Sequence, residues 1–155
     1  MLGHFASGVT VVTTRDSEGQ PAGLTANAFS SVSLDPPLVL VCVSHKAQSY
    51  PALRDSRRFA INILSEAQEA VSQRFASPPV ASNAEKFDGL PYRCGVLDLP
   101  ILDAALAHLE CETRHAYPGG DHTILVGQVE SAGISADNQL EPLLYYRGRY
   151  RRLGV

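Results

Sequence analysis

Leu38-Val39-Leu40-Val41-Cys42-Val43 is a run of six consecutive apolar residues, preceded by Asp35-Pro36-Pro37 and followed by Ser44. A short apolar run between turn residues is typical of a strand. Because no position in the run is polar, we expect both of its faces to be buried. Elsewhere in the chain, Val9-Thr10-Val11-Val12-Thr13-Thr14 and Phe59-Ala60-Ile61-Asn62-Ile63-Leu64 are rich in β-branched and apolar residues. These three stretches predict a fold built mainly from strands.

The rest of the chain adds strands and two short helices. Further strands are predicted at residues 23–25, 106–115, 122–132 and 143–150. A first helix is predicted over about residues 49–57, with Ser49 as its cap. The capping-box spacing of Ser65 and Gln68 predicts a second helix that runs to about residue 75.

Two stretches carry no strong periodic pattern. Residues 26–33 are small and polar with one aromatic residue, and residues 77–93 contain prolines and a glycine that favour irregular structure. Six or seven strands with short helices predict a mainly β fold, either a barrel or a sandwich with helices at its ends. We expect one domain over residues 1–155, because no linker, repeat or low-complexity tract divides the chain.

Composition and charge exclude several classes of protein. The chain has 155 residues, 45% hydrophobic and 19% charged, which is ordinary for a globular domain and too apolar for a disordered chain. Its longest apolar runs hold six residues, whereas a membrane helix needs about 20, so no membrane segment is expected. A net charge of −3 argues against a nucleic-acid-binding protein. The first residues do not resemble a secretory signal, so we expect a cytoplasmic location.

The spacing of cysteines and histidines predicts no metal site. The three cysteines form no Cys-x-x-Cys pair, and Cys42 is expected to be a small buried residue. His108, His115 and His122 recur every seven residues, but they fall in predicted strands and a turn rather than on one face of a helix. The chain also lacks the glycine patterns of Rossmann dinucleotide sites, P-loops and α/β-hydrolase elbows.

Three features have residue types suited to binding, and each also has a simpler interpretation. Residues 44–49 follow a strand and open a helix, so free N–H groups and Lys46 suit a phosphate; the alternative is a solvent loop with an ordinary cap. Residues 25–31 offer short donors and acceptors to a flat heterocycle, although their types favour a simple turn. His122 at the start of a strand suits ligand orientation, and the alternative is a turn histidine bonded to Asp121.

Residues 145–152 alternate tyrosines with arginines. The stretch is short and the chain is acidic overall, so an exposed strand end explains it better than a nucleic-acid site. Stacking of an arginine–tyrosine pair on an adenine or nicotinamide ring is the other interpretation.

Several stretches, taken together and in order, resemble the flavin reductase-like family. They are residues 5–13, 23–41, 59–64, 120–127 and 142–146. The resemblance covers nearly the whole chain, and its specificity lies in the ordered set rather than in any single motif. It implies an FMN-binding split β-barrel with Greek-key-like strand order that works as a homodimer.

The resemblance also implies an activity. Members of this family are NAD(P)H-dependent flavin reductases: NADH or NADPH reduces FMN or FAD, and the reduced flavin passes to a separate monooxygenase. Two other functions remain open from the residues, namely a non-catalytic flavin-binding module and a pyridoxamine-phosphate oxidase-like split barrel. The second would require several basic residues around a further phosphate, and the loop offers only Lys46.

By the same resemblance, specific positions are expected to bind the cofactors. The isoalloxazine ring would be lined by Thr25, Ala26, Asn27, Ala28, Phe29, Ser31 and Val32. The ribityl chain and phosphate would be held by Ser44, Lys46, Ala47, Gln48 and Ser49. His122 would lie beside the nicotinamide, and Phe87 and Tyr150 would complete the ring pocket and the nucleotide site.

Overall fold

The computed structural model describes residues 1–154, which form twelve strands and two short α-helices. The strands are β1 (Ser7–Gly8), β2 (Thr10–Arg15), β3 (Pro21–Ala26), β4 (Phe29–Leu34), β5 (Pro37–Ser44), β6 (Arg58–Ile63), β7 (Tyr92–Cys94), β8 (Pro100–Leu102), β9 (Ala107–Gly119), β10 (His122–Ile134), β11 (Leu144–Tyr146) and β12 (Arg149–Arg151). The helices are α1 (Tyr50–Ser56) and α2 (Glu69–Ala76), with 3-10 turns at Leu2–His4, Glu66–Gln68 and Asn83–Phe87. This confirms the predicted mainly β fold with short helices.

Seven strands form one antiparallel sheet in the order β3-β2-β6-β9-β10-β5-β4. Its two edge strands, β3 and β4, are consecutive in the chain and separated by two residues, Asn27 and Ala28. Such a connection spans roughly 11 Å, whereas the edges of a flat seven-stranded sheet would lie roughly 29 Å apart. The sheet must therefore curl into an open barrel. The Ala28 carbonyl also accepts a hydrogen bond from the Cys42 amide at 3.0 Å, which ties this connection to β5.

Two hydrophobic clusters hold the fold together. The first fills the barrel, with Val12, Val41, Phe59, Ile61 and Leu125 among its most buried members. The second packs helix α2 and the small β1-β11-β12 sheet against the outside of the barrel, and its buried members are Val9, Val11, Leu64, Phe75, Phe87, Leu102 and Leu143. Within residues 1–154, none of the helices has the length and apolar character needed to span a membrane.

Strand β5 differs from its prediction. Val39, Val41 and Val43 are buried, whereas Leu38, Leu40 and Cys42 on the opposite face are only partly buried. Within this single subunit, the prediction that both faces are buried, and that Cys42 is a small buried residue, was therefore wrong. The reason is that β5 lies in the barrel wall, where one face meets the core and the other points outward.

Three local predictions also need correction. Residues 29–34 form a strand, because pairing with β5 satisfies their backbone groups in spite of their small polar side chains. The predicted last strand is a hairpin of β11 and β12, turned at Arg147 and Gly148, which both have positive φ. Residues 77–93 are not wholly irregular, since they contain a 3-10 turn and the start of strand β7.

The predicted capping box is confirmed. The Ser65 amide donates to the Gln68 side chain at 3.1 Å, and the box opens the 3-10 turn that leads into α2. Helix α1 also forms where it was expected, over seven residues with Pro51 in its first turn. Helix α1 begins just after a loop that lines one cavity, and the end of α2 lines the same cavity.

Candidate functional site

One cavity collects all five residues predicted in the loop between β5 and α1. We call it the loop pocket; its volume is about 320 Å³. Its lining includes Thr25, Ser44, Lys46, Ala47, Gln48, Ser49, Ala76, Ser77 and Lys86. The lining comes from three parts of the chain: the loop, strand β3, and the end of α2 with the residues after it.

A serine hydroxyl in the loop pocket lacks a partner. Ser49 is 1% exposed, and its Oγ makes no hydrogen bond within residues 1–154. A buried hydroxyl without a partner costs free energy, and a polar ligand in the pocket would supply one. Four other buried side-chain atoms in the described residues also lack a partner, so this observation alone does not define a site. Nearby, Ser44 Oγ accepts a hydrogen bond from the Lys46 amide at 3.2 Å, which shapes the loop and leaves the Lys46 side chain exposed.

The sequence prediction missed Lys86, the only other lysine in the chain. It lies in the 3-10 turn after α2, is 7% exposed, and donates from Nζ to the Ser77 carbonyl at 3.1 Å. Burial lowers the pKa of its ammonium. The chain's two lysines thus line one pocket, although 40 positions separate them in sequence. The scarcity of lysine was the one signal that could have drawn attention to Lys86.

Gln48 has a partner that the sequence did not suggest. Its amide nitrogen donates to the Val80 carbonyl at 2.8 Å, and its amide oxygen accepts from the Val80 amide at 3.1 Å. The Gln48 side chain is therefore engaged in holding residues 77–80 beside the pocket. These two bonds to Val80 explain the position of the Gln48 side chain without a contact to a bound ligand.

A second cavity, of about 200 Å³, adjoins the loop pocket through shared lining residues Thr25 and Ala76. We call it the aromatic pocket; it is lined by Val9, Thr25, Asn27, Ser72, Ala76, Tyr145 and Tyr150. Tyr150 is fixed by a 2.7 Å hydrogen bond between its hydroxyl and Ser72 Oγ. Thr25 Oγ1 donates to the Ser72 carbonyl at 2.6 Å. The two pockets form one cleft with a cationic end and an aromatic end.

Other predicted ring residues lie apart from this cleft. Ala26 is buried, and Phe29 packs partly against the barrel core. Ser31 and Val32 lie on the exposed edge strand β4, and Ala28 is exposed in the connection before it. Phe87 is a core residue, with its ring edge-on to Phe75 at 4.9 Å and to Tyr92 at 5.5 Å. Phe87 therefore packs in the core, and it does not line the loop pocket. The adjacent residue, Lys86, does line it.

His122 begins β10, opposite Ser44 of β5 in the sheet register. Its Nδ1 lies 2.7 Å from Asp121 Oδ1, so the bond of the simpler interpretation is present. This hydrogen bond lowers the pKa of the Asp121 carboxyl, and the nearby charge of Lys46 acts in the same direction. The imidazole remains partly exposed at the same end of the barrel as the loop pocket.

A larger cavity, of about 580 Å³, lies between α1 and the β9–β10 hairpin. It is lined by residues that include His45, Tyr50, Arg54, Arg57 and Arg114, and by none of the residues predicted to bind a ligand. Size alone therefore does not identify the site. The larger cavity also has three arginines and the unpartnered Thr113 hydroxyl. The loop pocket is favoured because all five residues predicted in the loop line it.

Comparisons with known proteins show what this chain is similar to. A family model described as "Flavin reductase like domain" matches residues 2–154. The chain is 43% identical to a probable flavin reductase of Rhizobium meliloti, covering 96% of this chain and 46% of that protein. It is 39% identical to the reductase subunit of a flavin-dependent monooxygenase of Mycobacterium tuberculosis, covering 97% of this chain and 78% of that subunit.

A solved structure gives the same result in three dimensions. The structure of an NADH:FAD oxidoreductase of Streptomyces globisporus, in complex with NAD and FAD fragments, matches with a TM-score of 0.89. The two sequences are 40% identical, and the match covers 99% of this chain and 88% of that one. This chain, which has the strand order and the cleft given above, is thus similar in sequence and in structure to flavin reductases.

Proposed function

The chain belongs to the flavin reductase-like family, and on this premise we propose that it is an NAD(P)H-dependent flavin reductase. In the proposed reaction a hydride passes from nicotinamide C4 to N5 of FMN or FAD, and the reduced flavin goes to a separate flavin-dependent monooxygenase. The observation that carries the proposal is the loop pocket, where Lys46, Lys86 and the unpartnered Ser49 hydroxyl suit a flavin phosphate.

The protein's own part in this reaction is to bind and orient. Lys46 and Ser49 hold the phosphate at the cationic end, and Thr25 and Asn27 border the ring where the two pockets meet. The flavin and the nicotinamide supply the hydride chemistry themselves, so no side-chain nucleophile is needed. The remaining requirement is to hold the reacting atoms roughly 3–3.5 Å apart.

The test is an anaerobic matrix of NADH and NADPH against FMN, FAD and riboflavin. Loss of the visible absorbance of the oxidised flavin after nucleotide is added supports the proposal. Flavin binding without this loss points instead to a non-catalytic flavin-binding module. Oxidation of pyridoxamine phosphate in the presence of oxygen, without reduction by nicotinamide, points to the oxidase-like alternative.

The proposal also covers the setting of the protein. We propose that residues 1–155 act as one domain, supported by a family model that spans residues 2–154. We propose a cytoplasmic location, supported by the proposed use of NADH or NADPH, which cells keep on that side of the membrane. Fusion to a reporter that is active only in the cytoplasm tests the location.

We further propose a homodimer. Edge strand β4 exposes Val32 to 49% and Leu34 to 94%, and the outward face of β5 carries apolar side chains that are only partly buried. Apolar surface of this kind is typical of a subunit interface. Val32 lies apart from the cleft, so the support for the dimer is the exposed apolar surface itself, which a second subunit at this edge would bury.

We expect the protein to sediment as a dimer at micromolar concentration, and Leu34→Glu to shift it toward the monomer. A charge at this position costs the monomer little, because Leu34 already faces solvent. Val96→Glu is the matched control, since Val96 is 78% exposed in the loop between β7 and β8. A wild-type monomer with full activity at micromolar concentration would refute the dimer.

His122→Asn is expected to raise the KM for NAD(P)H about tenfold, the cost of one lost hydrogen bond of roughly 1.4 kcal/mol. Flavin affinity should stay near the wild-type value, because the proposed partner of His122 is the nicotinamide. Steady-state kinetics with saturating flavin measure the first quantity, and flavin titration measures the second.

Asp121→Asn is the control for this prediction. It removes the carboxylate that lies 2.7 Å from His122 but leaves the imidazole in place. If both substitutions have equal and small effects, or if His122→Asn leaves nucleotide affinity and single-turnover reduction unchanged, His122 only braces the turn.

A further inference from the structure

The cavity between α1 and the β9–β10 hairpin has a cationic lining in an acidic chain. We call it the arginine cavity; its volume is about 580 Å³. Its lining carries Arg54, Arg57 and Arg114 and no aspartate or glutamate, whereas the chain as a whole has a net charge of −3. Cavities that hold small ligands typically measure about 300–1,000 Å³. The arginine cavity thus has the size and the charge for an anionic ligand.

The three arginines of this cavity differ in their partners. Arg54 and Arg114 form ion pairs, at 2.7 to 3.5 Å, with acidic side chains that lie outside the lining. Within residues 1–154, Arg57 forms no ion pair with an acidic side chain. A guanidinium group presents its donors in a planar fork that fits a carboxylate or a phosphate. Arg57 is therefore the group with which an anion in the cavity would pair.

A hydroxyl close to Arg57 also lacks a partner. The Thr113 amide donates to the Arg57 carbonyl at 2.9 Å, so the two residues are neighbours where the end of α1 meets β9. Thr113 lines the cavity, and its Oγ1 is buried without a hydrogen bond in the described part of the chain. An anion bound beside both residues would supply the acceptor that this hydroxyl lacks.

Two aromatic pairs give the arginine cavity flat walls. The His45 and Tyr50 rings lie 4.9 Å apart, and both side chains are hydrogen-bonded to Thr123 Oγ1, at 2.9 and 3.0 Å. His115 and Tyr117 are stacked, with ring centroids 5.5 Å apart. Rings held in this way can stack on a planar ligand with little further loss of conformational freedom. These walls suit an aromatic ring better than a flexible aliphatic chain.

We propose that the arginine cavity binds an aromatic anion, that is, a carboxylate or a phosphate attached to a planar ring. The anionic group pairs with Arg57, and the ring lies against the aromatic walls. None of the residues that line this cavity lines the loop pocket or the aromatic pocket. The site is therefore separate from the proposed flavin site, and binding there does not depend on flavin reduction.

Calorimetric titration of the wild-type protein with four probes tests the class of ligand. Phenyl phosphate and benzoate are both aromatic anions, and the one that binds more tightly identifies the anionic group. We expect at least one of them to bind saturably, and inorganic phosphate and benzyl alcohol to bind at least about fivefold more weakly. The proposal is wrong if neither aromatic anion binds. It is also wrong if benzyl alcohol binds as tightly, because no charge is then recognised, or if inorganic phosphate does, because no ring is.

Arg57→Gln tests the location of the site. We expect it to raise the dissociation constant of the tighter aromatic anion about tenfold, as for loss of a charge-assisted hydrogen bond. Lys46→Ala is the matched control, since it removes one positive charge from the loop pocket instead, and it should change this constant by less than about twofold. If Lys46→Ala weakens the probe as much as Arg57→Gln does, the probe binds in the proposed flavin site and the inference fails. An Arg57→Gln protein with wild-type affinity also overturns it.

Thr113→Val gives an independent test. Valine has nearly the same shape but no hydroxyl, so the Tm should not fall, because Thr113 Oγ1 has no partner in the protein without ligand. The dissociation constant of the aromatic anion should nevertheless rise about threefold. If Arg57→Gln does not fold, wild-type affinity in Thr113→Val overturns the proposal in its place.

Discussion

Glu110→Ala should lower the free energy of unfolding by about 3 kcal/mol and the Tm by roughly 6–12 °C. Glu110 is fully buried on β9, and its two carboxylate oxygens accept hydrogen bonds from the Val96 and Leu97 amides at 2.8 and 2.7 Å. A hydrogen bond to a charged group contributes roughly 1.5–3 kcal/mol. We expect the lower end of the range for two such hydrogen bonds because Val96 is exposed. Water can then replace part of the hydrogen bond that the Val96 amide loses.

Glu110 stabilises the fold by holding the β7–β8 loop against the outside of the barrel. A Cβ on Gly95 would collide with the Glu110 carboxylate, so the loop approaches closely only because residue 95 is glycine. Arg58 holds the same loop by donating to the Leu97 carbonyl at 2.7 Å. Without Glu110, the loop loses its main attachment, and the small cluster of Leu99 and Ile101 under it becomes easier to expose.

Glu112→Ala is the matched control for Glu110→Ala. Glu112 is two positions along the same strand, but its side chain is exposed and pairs with Arg114 at 3.3 Å, a contact worth less than about 1 kcal/mol. Urea unfolding of the two variants and of the wild type measures the difference. Equal destabilisation by both substitutions would contradict the role given to Glu110.

Most strands could be predicted because their signal is local. β2, β6 and β10 carry runs of β-branched or apolar residues, a local pattern that is typical of buried strands. β4 carries Ser30, Ser31 and Ser33 and becomes a strand through pairing with β5, which no local pattern records. The order of the seven strands and the closure of the sheet likewise depend on contacts between distant parts of the chain.

Only part of the candidate site could be predicted from the sequence. The loop residues from Ser44 to Ser49 could be found because they follow a recognisable strand and precede a helix. Lys86 could not, because it lies in a stretch without periodicity, and only the packing of α2 against β3 brings it to the loop pocket. Glu110 gives no local signal either, since its partners are backbone amides 13 and 14 positions away.

Lys46→Ala should weaken FMN binding by about 1.5–3 kcal/mol, which is roughly 10- to 150-fold, with the lower end expected because the side chain is exposed. Riboflavin binding should scarcely change, since the phosphate that Lys46 is proposed to contact is missing. Hydride transfer within the saturated complex should also stay close to the wild-type rate, because Lys46 acts at a group remote from the reacting atoms. Flavin titration and anaerobic single-turnover reduction separate these quantities.

The control for Lys46→Ala is Arg54→Ala, which removes one positive charge from nearby α1 outside the loop pocket. Arg54 pairs with Asp55 on the surface at 2.7 Å, so its loss changes the net charge by the same amount without touching the proposed phosphate site. If Arg54→Ala weakens FMN as much as Lys46→Ala does, the effect is one of overall charge. If Lys46→Ala weakens riboflavin and FMN to the same extent, the lysine shapes the loop and the phosphate lies elsewhere.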